Sequence, residues 1–239
     1  MENSISYTSS LSALSGAWQG SEDTCAFSMQ DIQHCLLTLD APIYFIYKEG
    51  RIAATNSGSM STNPTNSIKI LAASDSLPAE MLGNPDFKKT YGTPYAYYAG
   101  SMANGISSEK MTIAMGNAGF MCAFGTGGLG PDRIESAIQK IQAALPDKPY
   151  AFNLLNSPNE PALEQKAVDL FLKYGITTIE ASAYLLLSDN LVRYRAAGLS
   201  RQPDGEIQIA NRIIAKLSRK EVARKFLEPA SDRILKQLL

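Results

Sequence analysis

Histidine is almost missing from this sequence of 239 residues: His34 is the only one, and it is accompanied by just three cysteines, Cys25, Cys35 and Cys122. An odd cysteine count with no C-x-x-C spacing excludes a disulfide framework and a structural zinc site. No metal site is expected. His34 and Cys35 are neighbours in a predicted helix and lie ~100° apart around it, so they do not face each other as a nucleophile–base pair. His34 therefore reads as an ordinary helix residue.

Charge of one sign is lacking too. The formal net charge is −1, so no polyelectrolyte partner is implied. Arg212, Lys216, Arg219, Lys220, Arg224 and Lys225 form a late basic cluster, but aromatic residues are not interleaved with them beyond Phe226. That favours a solvated helix face over a nucleic-acid site. No run approaches the ~18 apolar residues that span a bilayer, and Met1 to Ser12 is polar and serine-rich, without a basic start and apolar stretch. A reduced, cytoplasmic location is the expectation.

What is present is a globular composition, 45% hydrophobic and 19% charged. Two rhythms divide it. Residues 1–92 read as a small α+β domain: a helix from Ser28 to Leu39 with Ile32, Leu36 and Leu39 on one face, then a hairpin of Ala41–Tyr47 and Ile52–Thr55 around Glu49-Gly50. Residues 56–67 are rich in Ser, Asn and Thr and read as a loop before a strand at Ile68–Ala73.

Residues 93–239 alternate strand and helix. Strands are predicted at Tyr95–Ala99, Gly119–Phe124, Tyr150–Leu155, Ile176–Ala181 and Arg212–Leu217. The helices between and after them are Ser107–Asn117, Asp132–Leu145, Pro161–Tyr174, Ser188–Ala197 and Ser218–Leu227. Such alternation implies a parallel sheet with right-handed crossovers. It leaves open whether the sheet is doubly wound or closed into a barrel. The run Gly125-Thr126-Gly127-Gly128-Leu129-Gly130 follows the second strand of the series, not the first, and is weak evidence for a dinucleotide fold. Asp147, the nearest acidic residue at the spacing of a ribose contact, lies in a Pro-Asp-Lys-Pro turn instead of at a strand end.

Particular strings go further. Ala99-Gly100-Ser101-Met102-Ala103-Asn104-Gly105, Asn153-Leu154-Leu155-Asn156-Ser157-Pro158-Asn159-Glu160-Pro161, Glu180-Ala181-Ser182-Ala183-Tyr184, Leu191-Val192-Arg193-Tyr194-Arg195 and Asn211-Arg212-Ile213-Ile214-Ala215-Lys216-Leu217-Ser218 occur in this order. They resemble the PfaD-like enoyl reductases of polyunsaturated-fatty-acid and trans-acyltransferase polyketide synthases. The resemblance implies the closed alternative: about the first five units of a (β/α)8 TIM barrel behind the small α+β domain. It further implies FMN as cofactor, NADPH as reductant, and a 2-enoyl thioester on an acyl carrier protein as substrate.

Residues that the resemblance brings toward the flavin are Met102, Ala103 and Asn104 after the first strand, Asn153 in the third, Glu180 in the fourth and Lys216 in the fifth. Buried polar groups inside strands need partners, so a Glu180–Lys216 pair, and an Asn153 that ties two strands together, remain structural alternatives. A barrel needs ~250 residues, and the Gly-Gly-His segment of the flavin relatives does not occur, so the catalytic residue stays unassigned. The chain reads as truncated, with a missing C-terminal half or a homo-oligomer as possible complement. A non-catalytic scaffold or docking piece, and a nitronate monooxygenase-like flavoenzyme, are the alternatives.

Overall fold

A computed structural model describes residues 16–61 and 68–238. The chain divides between Leu82 and Gly83 into two compact units.

The first unit is built on an antiparallel sheet of β1 (Ala17–Gln19), β2 (Ile43–Lys48), β3 (Arg51–Thr55), β4 (Ser59–Ser61) and β5 (Ile68–Ser74), in the order β3-β2-β5-β1-β4. Glu49 and Gly50, at φ 52° and 74°, make the tight turn of the predicted hairpin. Two positive φ values in succession match the right-handed twist of the flanking strands. Trp18, Ile46, Ala53 and Ile70 form the core, and the Trp18 indole donates to Ser57 O at 2.8 Å. Helix α1 (Met29–Leu37) starts where predicted, with Ser28 Oγ accepting from Asp31 N at 3.1 Å. Its expected apolar face is not buried, because Leu36 and Leu39 are exposed. Part of the predicted loop at 56–67 is the edge strand β4. Its pairing with β1 uses backbone groups alone, so Ser-Met-Ser carries no apolar signal; residues 62–67 lie outside the described residues.

The second unit begins with α2 (Pro85–Tyr91) and carries a curled parallel sheet of β6 (Tyr98–Ala99), β7 (Met121–Phe124), β8 (Ala151–Leu155) and β9 (Thr178–Ser182). A short antiparallel hairpin, β10 (Leu199–Arg201) and β11 (Ile207–Ile209), precedes the last parallel strand, β12 (Arg212–Ala215). The parallel strands lie in the order β12-β9-β8-β7-β6, which runs one way along the chain. A doubly wound sheet reverses its strand order at a switch point, and this one does not.

Helices α3 (Glu109–Asn117), α4 (Pro131–Ala144), α5 (Pro161–Lys173), α6 (Asp189–Ala197), α7 (Lys220–Leu227) and α8 (Asp232–Leu238) complete the unit. The Ser108 and Ser188 hydroxyls cap α3 and α6 by accepting from Met111 N and Leu191 N. Proline opens α4 and α5, where its missing N–H is no loss. Helix α4 turns Ile134, Ala137, Ile138 and Ile141 inward, each isoleucine contributing about 1.5–3 kcal/mol by burial. They pack with Phe124, Phe152, Phe171 and Ile179.

Alternation sends the other face of each strand to the concave side, where Met121, Ala123 and Ala151 meet Phe87, Tyr91, Tyr98 and Ile214. Asn153, Glu180 and Lys216 share that concave parity. Among the described residues no helix is long and apolar enough to cross a membrane.

Candidate functional site

The concave face ends, at the C-terminal edge of the strands, in a polar cluster centred on Glu180. Glu180 is 1% exposed. Its Oε2 accepts from Tyr98 OH at 2.7 Å and from Ser101 N at 3.2 Å, and its Oε1 accepts from the Ser101 hydroxyl and from Ser182 Oγ at 3.2 Å. Lys216 Nζ stands 3.4 Å from the same Oε1 and 3.3 Å from Ser101 O. Asn153 Nδ2 donates to Glu180 O at 3.1 Å and Ser182 Oγ at 2.8 Å.

Burial opposes ionisation of Glu180, yet the Ser101 hydroxyl, the Tyr98 hydroxyl, the Ser101 amide and the Lys216 ammonium outweigh it and hold the carboxyl below its ordinary range. The Tyr98 phenol is pushed far upward, first by burial and then by its bond to the carboxylate.

Above this cluster two loops lock together. Asn104 N donates to Gly127 O at 2.7 Å, Gly105 N to Gly125 O at 3.0 Å, and Gly125 N to Ser107 O at 3.1 Å. Gly125 is required by proximity: a Cβ there would stand 1.7 Å from Met102 O. The glycine-rich run is therefore the packing partner of the loop after β6. Asn104 itself is left-handed at φ 56°, a conformation that asparagine tolerates better than most residues.

The sequence-predicted site residues thus fall into two groups. Asn153, Glu180 and Lys216 are brought together, the first two buried and the third with a half-exposed side chain. Met102, Ala103 and Asn104 are exposed on the neighbouring loop. Lys216 follows β12 and is not a buried strand residue as predicted, although its N–H extends the ladder to Ala181 O at 2.9 Å. His34 is exposed on α1, in the other unit.

Sequence reasoning missed Tyr98, Ser101 and Ser182 as partners of Glu180. Strand alternation signals Tyr98 and Ser182, since both share the concave parity; nothing in the sequence signals Ser101. It also missed a second buried carboxylate. Glu164 of α5, 4% exposed, accepts from Tyr184 OH at 3.1 Å, from the Ser188 hydroxyl, and from Asn156 Nδ2 at 3.1 Å. It ties together the loops that follow β8 and β9. Among the described residues no group of His, Cys, Asp and Glu is arranged to hold a metal ion.

Comparison with known proteins places these features. Residues 18–76 match the family model described as the fatty acid synthase subunit PfaD N-terminal domain. The chain is 40% identical over 90% of its length to a polyunsaturated fatty acid synthase component of Thraustochytrium sp., of which it covers 14%. It is 43% identical over 68% of its length to the polyketide biosynthesis protein PksE of Bacillus subtilis, covering 21% of that protein. Among solved structures, the enoyl reductase domain of MlnA, from the macrolactin biosynthesis cluster of Bacillus amyloliquefaciens, superposes with a TM-score of 0.65 at 41% identity. That match covers 67% of this chain and 37% of that one. Residues 18–76 thus carry the PfaD N-terminal domain, and the chain is similar along most of its length to polyunsaturated-fatty-acid and polyketide synthase components, of whose own length it spans about a fifth or less.

Proposed function

We propose that this chain forms part of the flavin-binding mouth of a synthase enoyl reductase, one that reduces 2-enoyl thioesters on acyl carrier protein with FMN and NADPH. The observation that carries the reading is the Glu180-centred cluster at the C-terminal ends of parallel strands, the end at which such folds place their chemistry.

The residues present fit the ring end of FMN. Among the described residues, Asn153 Oδ1 accepts no hydrogen bond while Nδ2 is held by Glu180 and Ser182, so the carboxamide is fixed with a free acceptor. Lys216 supplies one cation with a half-exposed side chain. Asn104 and Ala103 pack onto Gly128 and Gly127, where an added Cβ would stand 2.3 Å from Asn104 Oδ1 and 3.4 Å from Ala103 Cβ, so the loop that carries Met102, Ala103 and Asn104 is fixed at the mouth. When bound, FMN supplies hydride transfer.

The chain's own residues bind and orient. Glu180 acts through its neighbours: its oxygens are taken up by protein donors, and its work is to position Asn153 and Lys216. The Lys216 ammonium stabilises negative charge arising beside it, as a fixed cation does best without reorganising.

Titrating FMN into the purified chain and following flavin fluorescence tests the reading. Saturable quenching is expected, weakened by Lys216→Met without loss of far-UV circular dichroism. A folded chain that leaves FMN fluorescence unchanged would overturn it and favour a docking or scaffolding role. Quenching with no NADPH-dependent consumption of an enoyl thioester, once the chain is joined to the remainder of a relative's domain, would instead favour a nitronate monooxygenase-like chemistry.

A further inference from the structure

The opposite end of the same sheet carries a different kind of site. At the N-terminal ends of β8, β9 and β12 lies a polar cleft of about 360 Å³. Arg212 and Thr178 stand at its centre as register partners on adjacent parallel strands, so both project to the concave side. Thr178 is 4% exposed. Among the described residues its hydroxyl has no hydrogen-bond partner, and the half-buried Arg212 guanidinium has neither a hydrogen bond nor an ion pair. Lys148, Gln142, Tyr91, Thr90 and Thr177 add to the polar lining, and no carboxylate residue belongs to it. Lys148 Nζ holds Asn117 Oδ1 at 2.9 Å and retains two further N–H groups.

A partly exposed guanidinium and a hydroxyl that open to the cleft without protein partners are free to donate to a bound anion. Arg193 shows the usual solution on this fold, with its Nη2 2.6 Å from Asp169. Arg212 lacks any such acid. We infer that this cleft binds a phosphate monoester, with Arg212 and Thr178 as its anchoring donors. A guanidinium fork flanked by a second cation and several hydroxyls matches a tetrahedral dianion with three exposed acceptor oxygens better than a planar carboxylate. The cleft exceeds the volume of a bare phosphate, which leaves room for the organic part of an ester. The site is separate from the Glu180 cluster, at the other end of the strands, and does not depend on the function proposed above.

Isothermal titration of the full chain with inorganic phosphate, at constant ionic strength set by chloride, tests the inference. Saturable binding is expected, weakened roughly tenfold or more in Arg212→Gln. Thr178→Val, which preserves shape, is expected to weaken it by a smaller factor while leaving the melting temperature in phosphate-free buffer unchanged. It keeps the test decisive should Arg212→Gln fail to fold. Absence of saturable binding, or binding that neither variant alters, would overturn the inference. Equal binding of acetate would also overturn it, because the cleft would then be a receptor for a carboxylate side chain of another polypeptide segment.

Discussion

Around Glu180 the two partners of one ion pair have very different stakes. Glu180 is buried and answers six protein donors, whereas the Lys216 side chain is 54% exposed and can hydrate if its partner is lost. Glu180→Gln turns an amide toward groups that all donate, and should destabilise the second unit by ~3 kcal/mol or more. Lys216→Met should stay within ~1 kcal/mol. Chemical denaturation of both variants checks the asymmetry, and equal losses would refute it.

The same residue sets an acid limb. Its carboxyl is depressed in the native state, and an unfolded glutamate titrates near ~4.3. Its contribution is therefore complete above that pH and is lost as pH falls toward the lower native value. Glu180→Gln should flatten the loss of stability below about pH 4.5, as measured by acid unfolding at fixed ionic strength.

Among the elements, the glycine-rich turn after β7 tests what glycine is for. Gly125 abuts the Met102 carbonyl, whereas a Cβ added at Gly130, where φ is −73°, would meet nothing within 4 Å. Gly125→Ala should cost more than about 2 kcal/mol by forcing the two loops apart, and should disturb any ligand held at the mouth. Gly130→Ala should change stability by less than about 1 kcal/mol. Thermal melts of the two variants separate a packing role from generic loop flexibility.

Elements with a strong period were legible from the sequence. The four apolar positions of α4 and the buried runs of β7, β8 and β9 carry their own signal, and alternation along β8 and β9 put Asn153 and Glu180 on one face. Strands β1, β4, β10 and β11 were not legible. Each is three residues long, and β10 and β11 are fully exposed, so pairing alone defines them. The seven-residue helices α2 and α8 are likewise too short for a period to emerge. The hub at Glu180 escaped for a different reason: Tyr98 and Ser101 lie 82 and 79 residues away in sequence. Only the parallel register brings them to the carboxylate.

For the whole molecule, the division of the core decides how it unfolds. Trp18, Ile46, Ala53 and Ile70 form a cluster within the first unit, while the clusters around Phe152 and Met121 lie wholly within the second. Cooperativity follows shared burial, and among the described residues neither core includes a residue of the other unit, so two transitions are expected in calorimetry. Among the described residues the first unit buries far fewer large side chains, and it should melt at the lower temperature. Trp18→Ala removes its largest buried side chain, at a cost of ~3–5 kcal/mol to that unit. It should lower or abolish the first transition while leaving the second in place. Glu180→Gln should do the reverse, lowering the second and sparing the first. A single transition that both substitutions shift together would show that the two cores unfold as one, and would overturn the division at Leu82.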